Sequence, residues 1–167
     1  MAKQSLNGWE SRHKSLAFWW SVGFGSGLLR PAPGTWGSLL GLFIGYFILL
    51  QSQAAWLLIG GAAAVTAISI FAVGHIEKVA GVHDAPEIVI DEIAGQWLAM
   101  VPLALLPHGW LELGISFLLF RVFDIIKPWP IGPLDEKVSG GFGVMVDDLV
   151  AGVIAAAILS LLMLYVI

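Results

Sequence analysis

The chain of 167 residues is 58% hydrophobic and 12% charged, with a mean hydropathy of +0.88, whereas a soluble domain carries about 25% charged residues. That balance excludes a soluble globular domain, and the length suits a single domain, residues 1–167. No cysteine is present, which excludes disulfides and thiolate metal sites, and the net charge of -4 comes with no basic, aromatic-interleaved patch that would suit a nucleic acid.

Residues 1–14 form a polar tail without the small-residue cleavage pattern of a removable signal peptide. Residues 16–29 are rich in Trp, Phe and Gly but short and glycine-interrupted, which predicts an interfacial or re-entrant segment rather than a span. After the turn Arg30-Pro31-Ala32-Pro33-Gly34, no Asp, Glu, Lys or Arg occurs until Glu77. Two spans are predicted there, over about residues 36–50 and 54–74, broken by Gln51-Ser52-Gln53. A charged segment follows to Glu92, then a third span over about residues 93–106 that stops at Pro107-His108-Gly109. A fourth covers about residues 110–126, and a fifth closes the chain after a second polar segment that ends at Asp148. The expected fold is an all-α integral membrane protein, with about five membrane-embedded helices plus the N-terminal segment.

Five spans put all eight Lys and Arg residues on one side, together with every acid except Glu112. The positive-inside rule makes that side cytoplasmic. Any chemistry then belongs to that one polar face.

Three acidic clusters lie there. In His83-Asp84-Ala85-Pro86-Glu87-Ile88-Val89-Ile90-Asp91-Glu92, Asp84 suits an N-cap, Pro86 a first turn and Glu87 the third position of a capping box. On the helix this start predicts, Asp84, Glu87 and Asp91 share a face, with Glu92 about a quarter-turn away. Capping explains Asp84 and Glu87 but not the deeper Asp91 and Glu92, which point to a divalent cation. The second cluster spaces Arg121, Asp124 and Lys127 at i, i+3, i+6 at the end of the fourth span. An ion pair within the helix or a site is equally consistent with that spacing. The third is Asp147-Asp148, directly before the last span, where an N-cap would account for one aspartate only. Carboxylates suit Mg²⁺, which prefers oxygen ligands, and nearby Arg30, Arg121 and Lys127 suit a phosphate group. At headgroup level that phosphate belongs to a lipid. The segment Ala32-Pro33-Gly34-Thr35-Trp36-Gly37-Ser38 lacks the lysine of a P-loop but offers the hydroxyls of Thr35 and Ser38. His75 and His83 flank the first cluster, where helix-end histidines are more often structural.

Three blocks resemble the phosphatidylglycerophosphatase A family of bacterial membrane enzymes: Gly25-Ser26-Gly27-Leu28 through Ser38; Glu87 through Gly95-Gln96-Trp97; and Phe120-Arg121-Val122-Phe123-Asp124-Ile125-Ile126-Lys127-Pro128-Trp129-Pro130-Ile131 with Gly140-Gly141-Phe142-Gly143 through Gly152. They reach over about residues 23–152. The usual family pattern has Lys-Asp where this chain has His83-Asp84. The resemblance implies Mg²⁺-dependent hydrolysis of phosphatidylglycerol phosphate to phosphatidylglycerol and phosphate at the bacterial inner membrane, with Glu87, Asp91, Glu92, Asp124, Asp147 and Asp148 forming the site. The candidate catalytic residues are thus Asp84, Glu87, Asp91, Glu92, Asp124 and Asp148. The candidate metal ligands are Glu87, Asp91, Glu92, Asp147 and Asp148, and the candidate phosphate contacts are Arg30, Thr35, Ser38, Arg121 and Lys127. Which carboxylate is base and which is ligand stays open, as does the oligomeric state.

Other classes fit less well. The Pro-Ser-Gly-His of histidine lipid phosphatases, the Asp-x-Asp of haloacid-dehalogenase-type enzymes and the Asp-Gly-x-x-Ala-Arg of CDP-alcohol phosphotransferases are all absent. A transporter would place ionisable residues within spans or on both faces, and a scaffold would not need so many acids beside helix starts.

Overall fold

The computed structural model describes residues 4–51, 54–82, 85–138 and 140–166, apart from the side chains of residues 135–137. These residues are helical, without a strand among them. Seven α-helices follow one another: α1 (Leu16–Ser21), α2 (Pro33–Gln51), α3 (Ala55–Ala80), α4 (Ile90–Ala99), α5 (Trp110–Ile126), α6 (Ile131–Lys137) and α7 (Gly140–Tyr165).

Three of them, α2, α3 and α7, are long and apolar enough to cross a membrane. Their outer faces are bare hydrocarbon. On α2 the exposed Trp36, Leu39, Phe43, Phe47 and Leu50 recur at helical spacing and form one stripe. On α5, which at 17 residues is not one of these three, the exposed Leu111, Leu118, Val122 and Ile125 do the same. Water does not tolerate contiguous apolar faces of this size, whereas a bilayer requires them.

The predicted third span takes a different form. It is α4, ten residues long, followed by a 3-10 turn at Val101–Ala104 that contains Pro102. Ten residues rise about 15 Å, half the thickness of a hydrocarbon core. Every residue of α4 except Leu98 is buried, because α2, α3, α5 and α7 surround it. A short helix that carries carboxylates is thus held inside a protein wall rather than against lipid, the one setting in which polar groups are tolerated at membrane depth.

Glycines let the neighbouring helices come close. A Cβ on Gly37 would lie 2.6 Å from Val89 Cβ, one on Gly41 3.0 Å from Ile93 Cα, and one on Gly45 2.7 Å from Met100 Sδ. This glycine row of α2 is the face that meets α4. On the other side, a Cβ on Gly152 of α7 would lie 2.3 Å from the Gly95 carbonyl oxygen. Small residues at helix crossings serve this purpose in membranes, where van der Waals packing holds helices together.

Three expectations need correction. First, α4 begins at Ile90, not near residue 84: Pro86 and Glu87 lie in a turn, with Val89 at the N-cap and no side-chain cap. Glu87 therefore does not share a helical face with Asp91, and its carboxylate bonds to other partners instead of capping. Second, α7 begins at Gly140, so Asp147 and Asp148 lie inside it and neither caps it. Its glycines account for the extra turns, since a Cβ on Gly141 would lie 2.3 Å from the Ile70 carbonyl oxygen of α3. Third, the segment between the last two long helices holds α6, which periodicity did not announce. The predicted N-terminal segment is α1, capped by Ser15 Oγ accepting from the Phe18 N–H, and a 3-10 stretch at Gly23–Leu28. Both are too short to span.

Candidate active site

The start of α4, the end of α5 and the start of α7 meet at one end of the bundle, beside the loop that opens α2. Between them lies a cavity of about 340 Å³. Its wall includes Asp91 and Glu92 from α4, Arg121, Asp124 and Ile125 from α5, Lys127 just beyond it, Asp147 and Asp148 from α7, and Ala32, Pro33 and Gly34 from the α2 side. The acids from three distant stretches of sequence thus share one space.

At its centre, Glu92, Asp124 and Asp148 each offer a carboxylate oxygen, and these oxygens lie within 4.8 Å of one another. All three residues are buried. The helix crossing explains the meeting: Glu92 sits one turn before Gly95, Asp148 one turn before Gly152, and the two glycines are in backbone contact. Asp124 arrives from α5 beside Phe120, whose ring packs against Gly95.

Arg121 is the cation of this group. Its Nη1 donates to Asp124 Oδ2 at 2.8 Å and to Ser38 Oγ at 3.2 Å, and it pairs with Glu92 Oε2. Its buried Nε has no hydrogen-bond partner. Ser38 Oγ also lies 2.6 Å from Glu92 Oε2 and 2.9 Å from the Gly34 carbonyl oxygen. Lys127 Nζ donates to Asp147 Oδ2 at 2.5 Å. Its backbone is left-handed, with φ 46°, a conformation that costs a lysine about 1–2 kcal/mol. The Asp91 Oδ1 accepts from the Glu92 N–H at 3.0 Å.

The donor set suits a hard divalent cation. Oxygen ligands at about 2.1 Å from Mg²⁺ lie at most about 4.2 Å apart, so oxygens within 4.8 Å of one another need at most a small contraction. The backbone comes close on that side: a Cβ on Gly34 would stand 2.1 Å from Glu92 Oε1, so a larger residue there would displace that carboxylate.

Not every candidate from the sequence lines the cavity. Ser38 is fully buried behind Glu92 and Arg121, where it holds both. Thr35 is half-buried in the first turn of α2 and does not line the cavity. Arg30 also lies off the wall, paired at 3.1 Å with Glu87 Oε1. Glu87 is buried, lies off the wall, and accepts from Ser5 and Leu6 as well. Asp84 and His83 lie outside the described residues, and His75 lines a separate apolar groove between α1 and α3. Sequence reasoning passed over Gly34, although it stands within the first block, and Ser5 and Leu6, for which the sequence carries no signal.

Known proteins resemble this chain over most of its length. The family model described as "Phosphatidylglycerophosphatase A" matches residues 19–163. A Haemophilus influenzae protein named phosphatidylglycerophosphatase A is 40% identical over 138 residues, covering 83% of this chain and 83% of that protein. Its Escherichia coli namesake is 40% identical over 142 residues, covering 83% and 78%. A Bacteroides thetaiotaomicron protein that carries the description "Putative phosphatidylinositol-3-phosphatase" is 37% identical over 139 residues, covering 79% and 84%. No solved structure matches. Residues 19–163 contain every acidic residue of the cavity wall, and the chain belongs to the phosphatidylglycerophosphatase A family.

Proposed function

We propose that this protein is a Mg²⁺-dependent lipid phosphatase that hydrolyses phosphatidylglycerol phosphate to phosphatidylglycerol and inorganic phosphate at the cytoplasmic face of a bacterial inner membrane. The observation that carries this is the triangle of Glu92, Asp124 and Asp148 with Arg121 beside it. Membership of the family supports the reaction class, and the one-sided placement of Lys and Arg supports the orientation.

Glu92, Asp124 and Asp148 would hold the cation, with Asp91 and Asp147 next to them on the wall. Bound there, Mg²⁺ supplies positive charge that polarises a phosphoryl oxygen and lowers the pKa of a coordinated water. The remaining work falls to the protein's own groups. Arg121 and Lys127, both on the cavity wall, hold non-bridging phosphate oxygens. A wall carboxylate accepts the proton of the attacking water. The water oxygen bonds to phosphorus, the phosphorus–oxygen ester bond breaks, and the departing alkoxide takes up the proton that the carboxylate accepted and becomes the glycerol hydroxyl. Burial of the acids and close-packed glycines exclude bulk water, which strengthens each charge interaction.

A lipid can reach the cavity from the side. Ile125 belongs both to the cavity wall and to the exposed apolar stripe of α5, and Ala32 and Pro33 face it from the start of α2. A headgroup between them leaves its acyl chains along hydrocarbon-facing residues.

The test is phosphate release by purified protein over a panel of lipid phosphates, phosphatidylglycerol phosphate and phosphatidylinositol 3-phosphate among them, with and without Mg²⁺. Release from phosphatidylglycerol phosphate that EDTA abolishes is the expected result. Preference for the inositol lipid would redirect the substrate, and full release in EDTA would remove the metal.

A further inference from the structure

Glu87 is among the most deeply buried acids of the chain, 3% exposed, yet it lies off the cavity. Both its oxygens are occupied. Oε1 accepts from Ser5 Oγ at 2.5 Å and from Arg30 Nη2 at 3.1 Å, and Oε2 accepts from the Leu6 N–H at 3.2 Å. A buried carboxylate without such donors would be costly enough to neutralise itself. The donors come from two places remote in sequence, the N-terminal segment and the loop before α2.

Leu6 is no tail residue in practice. It is 1% exposed and belongs to the core cluster that also holds Phe18, Val22, Ala85 and Ile88. The turn around Glu87 is gripped from a second side, where the Val89 N–H donates to the Ser21 carbonyl at 2.9 Å. On the third side Gly27 lies so close that a Cβ there would stand 2.1 Å from the Glu87 carbonyl oxygen. Ala85, Pro86 and Ile88 of this turn wall the cavity, and Asp91 and Glu92 follow directly. Ser5 and Leu6 precede the stretch that the family model matches, while Arg30 and Glu87 fall within it.

We propose that Glu87 is a positioning residue that latches the N-terminal segment onto the turn leading into α4, and that it serves neither as a metal ligand nor as a substrate contact. The latch fixes the start of α4 and with it the carboxylates of Asp91 and Glu92. The segment that reads as a polar tail is thereby part of the catalytic unit. The kinetic half of the test rests on the phosphatase function proposed above, and the exchange half does not.

The test uses Ser5→Ala, Glu87→Gln and the double variant of the full chain, reconstituted in lipid nanodiscs. Amide hydrogen exchange over residues 85–89 is expected to rise about tenfold in both single variants, as a local opening becomes easier. With phosphatidylglycerol phosphate as substrate, kcat is expected to fall about tenfold with KM nearly unchanged, the mark of lost alignment rather than lost binding. The Mg²⁺ concentration for half-maximal activity should not move, and the double variant should be no slower than Glu87→Gln alone, since both remove one latch. A raised Mg²⁺ requirement in Glu87→Gln would make it a ligand and overturn the proposal, as would losses that multiply. Should Glu87→Gln fail to fold, Ser5→Ala still decides: unchanged exchange and unchanged kcat in that variant contradict the latch. Faster exchange in a protein whose parent releases no phosphate would uphold the latch and overturn the phosphatase function instead.

Discussion

Gly95 of α4 and Gly152 of α7 touch backbone to backbone: a Cβ on Gly152 would stand 2.3 Å from the Gly95 carbonyl oxygen. That contact sets the distance between the two helices one turn below Glu92 and Asp148, and so sets the separation of two of the three central carboxylates. Gly152→Val should therefore splay the helices, lower stability by about 1–3 kcal/mol through overpacking and cost most of the activity. Gly60→Ala is the control. Nothing lies within 4 Å of a Cβ at Gly60, so the better helix former should leave stability equal or up to about 1 kcal/mol higher. Thermal unfolding in detergent together with phosphate release checks both.

Arg121 bridges Glu92, Asp124 and Ser38 with one guanidinium. A lysine brings the charge but not the planar fork. Arg121→Lys should thus lose about a hundredfold in kcat/KM, close to the loss for Arg121→Met. Steady-state kinetics on both variants decide; near-wild-type activity in Arg121→Lys would mean that only charge matters there.

Lys127 combines a left-handed backbone with an ammonium on Asp147. Replacement by alanine removes the ion pair and keeps the backbone cost, whereas glycine removes both. Lys127→Gly should be more stable than Lys127→Ala by about 1 kcal/mol, and the two should be equally impaired in phosphate release. Paired unfolding curves measure the difference, and a more stable alanine variant would contradict it.

Much of this arrangement was legible in residue order. Long stretches without charge located α2, α3 and α7, and the one-sided charges located the polar end. The convergence of Asp91, Glu92, Asp124, Asp147 and Asp148 with Arg121 and Lys127 was legible too, because so many charges at a membrane edge need mutual compensation. Glu87 was misread, since the capping pattern assumed that Pro86 opens a helix, whereas Pro86 serves a turn as readily. Arg30, Ser5 and the Leu6 N–H settle the matter from afar, and no local pattern encodes them. Asp147 and Asp148 looked like a helix start because an uncharged stretch follows them directly and glycines stand before them in the preceding polar segment. Those glycines are packing surfaces of α7 against α3, which only the assembled bundle reveals. Ser38 read as a phosphate contact because its hydroxyl stands in a glycine-rich loop, but it falls on the helical face that turns inward to Glu92.

A cation bound by folded protein alone stabilises it by an amount that grows with the logarithm of its concentration. At about a hundred times its dissociation constant, Mg²⁺ should add about 2.7 kcal/mol to the unfolding free energy. The gain should vanish in Asp148→Asn and in Asp124→Asn, whose carboxylates belong to the central triangle. It should persist in Glu87→Gln, whose carboxylate lies off the cavity. Unfolding scans across a Mg²⁺ series test this without reference to turnover.

The most direct measurement is the release of phosphate from phosphatidylglycerol phosphate in mixed micelles by the purified protein and by Asp148→Asn, each with Mg²⁺ and with EDTA. Carboxylates that gather a divalent cation for phosphoryl transfer predict rapid release by the parent in Mg²⁺ and essentially none in the other three conditions. Equal release by parent and variant, or release undiminished by EDTA, would contradict it.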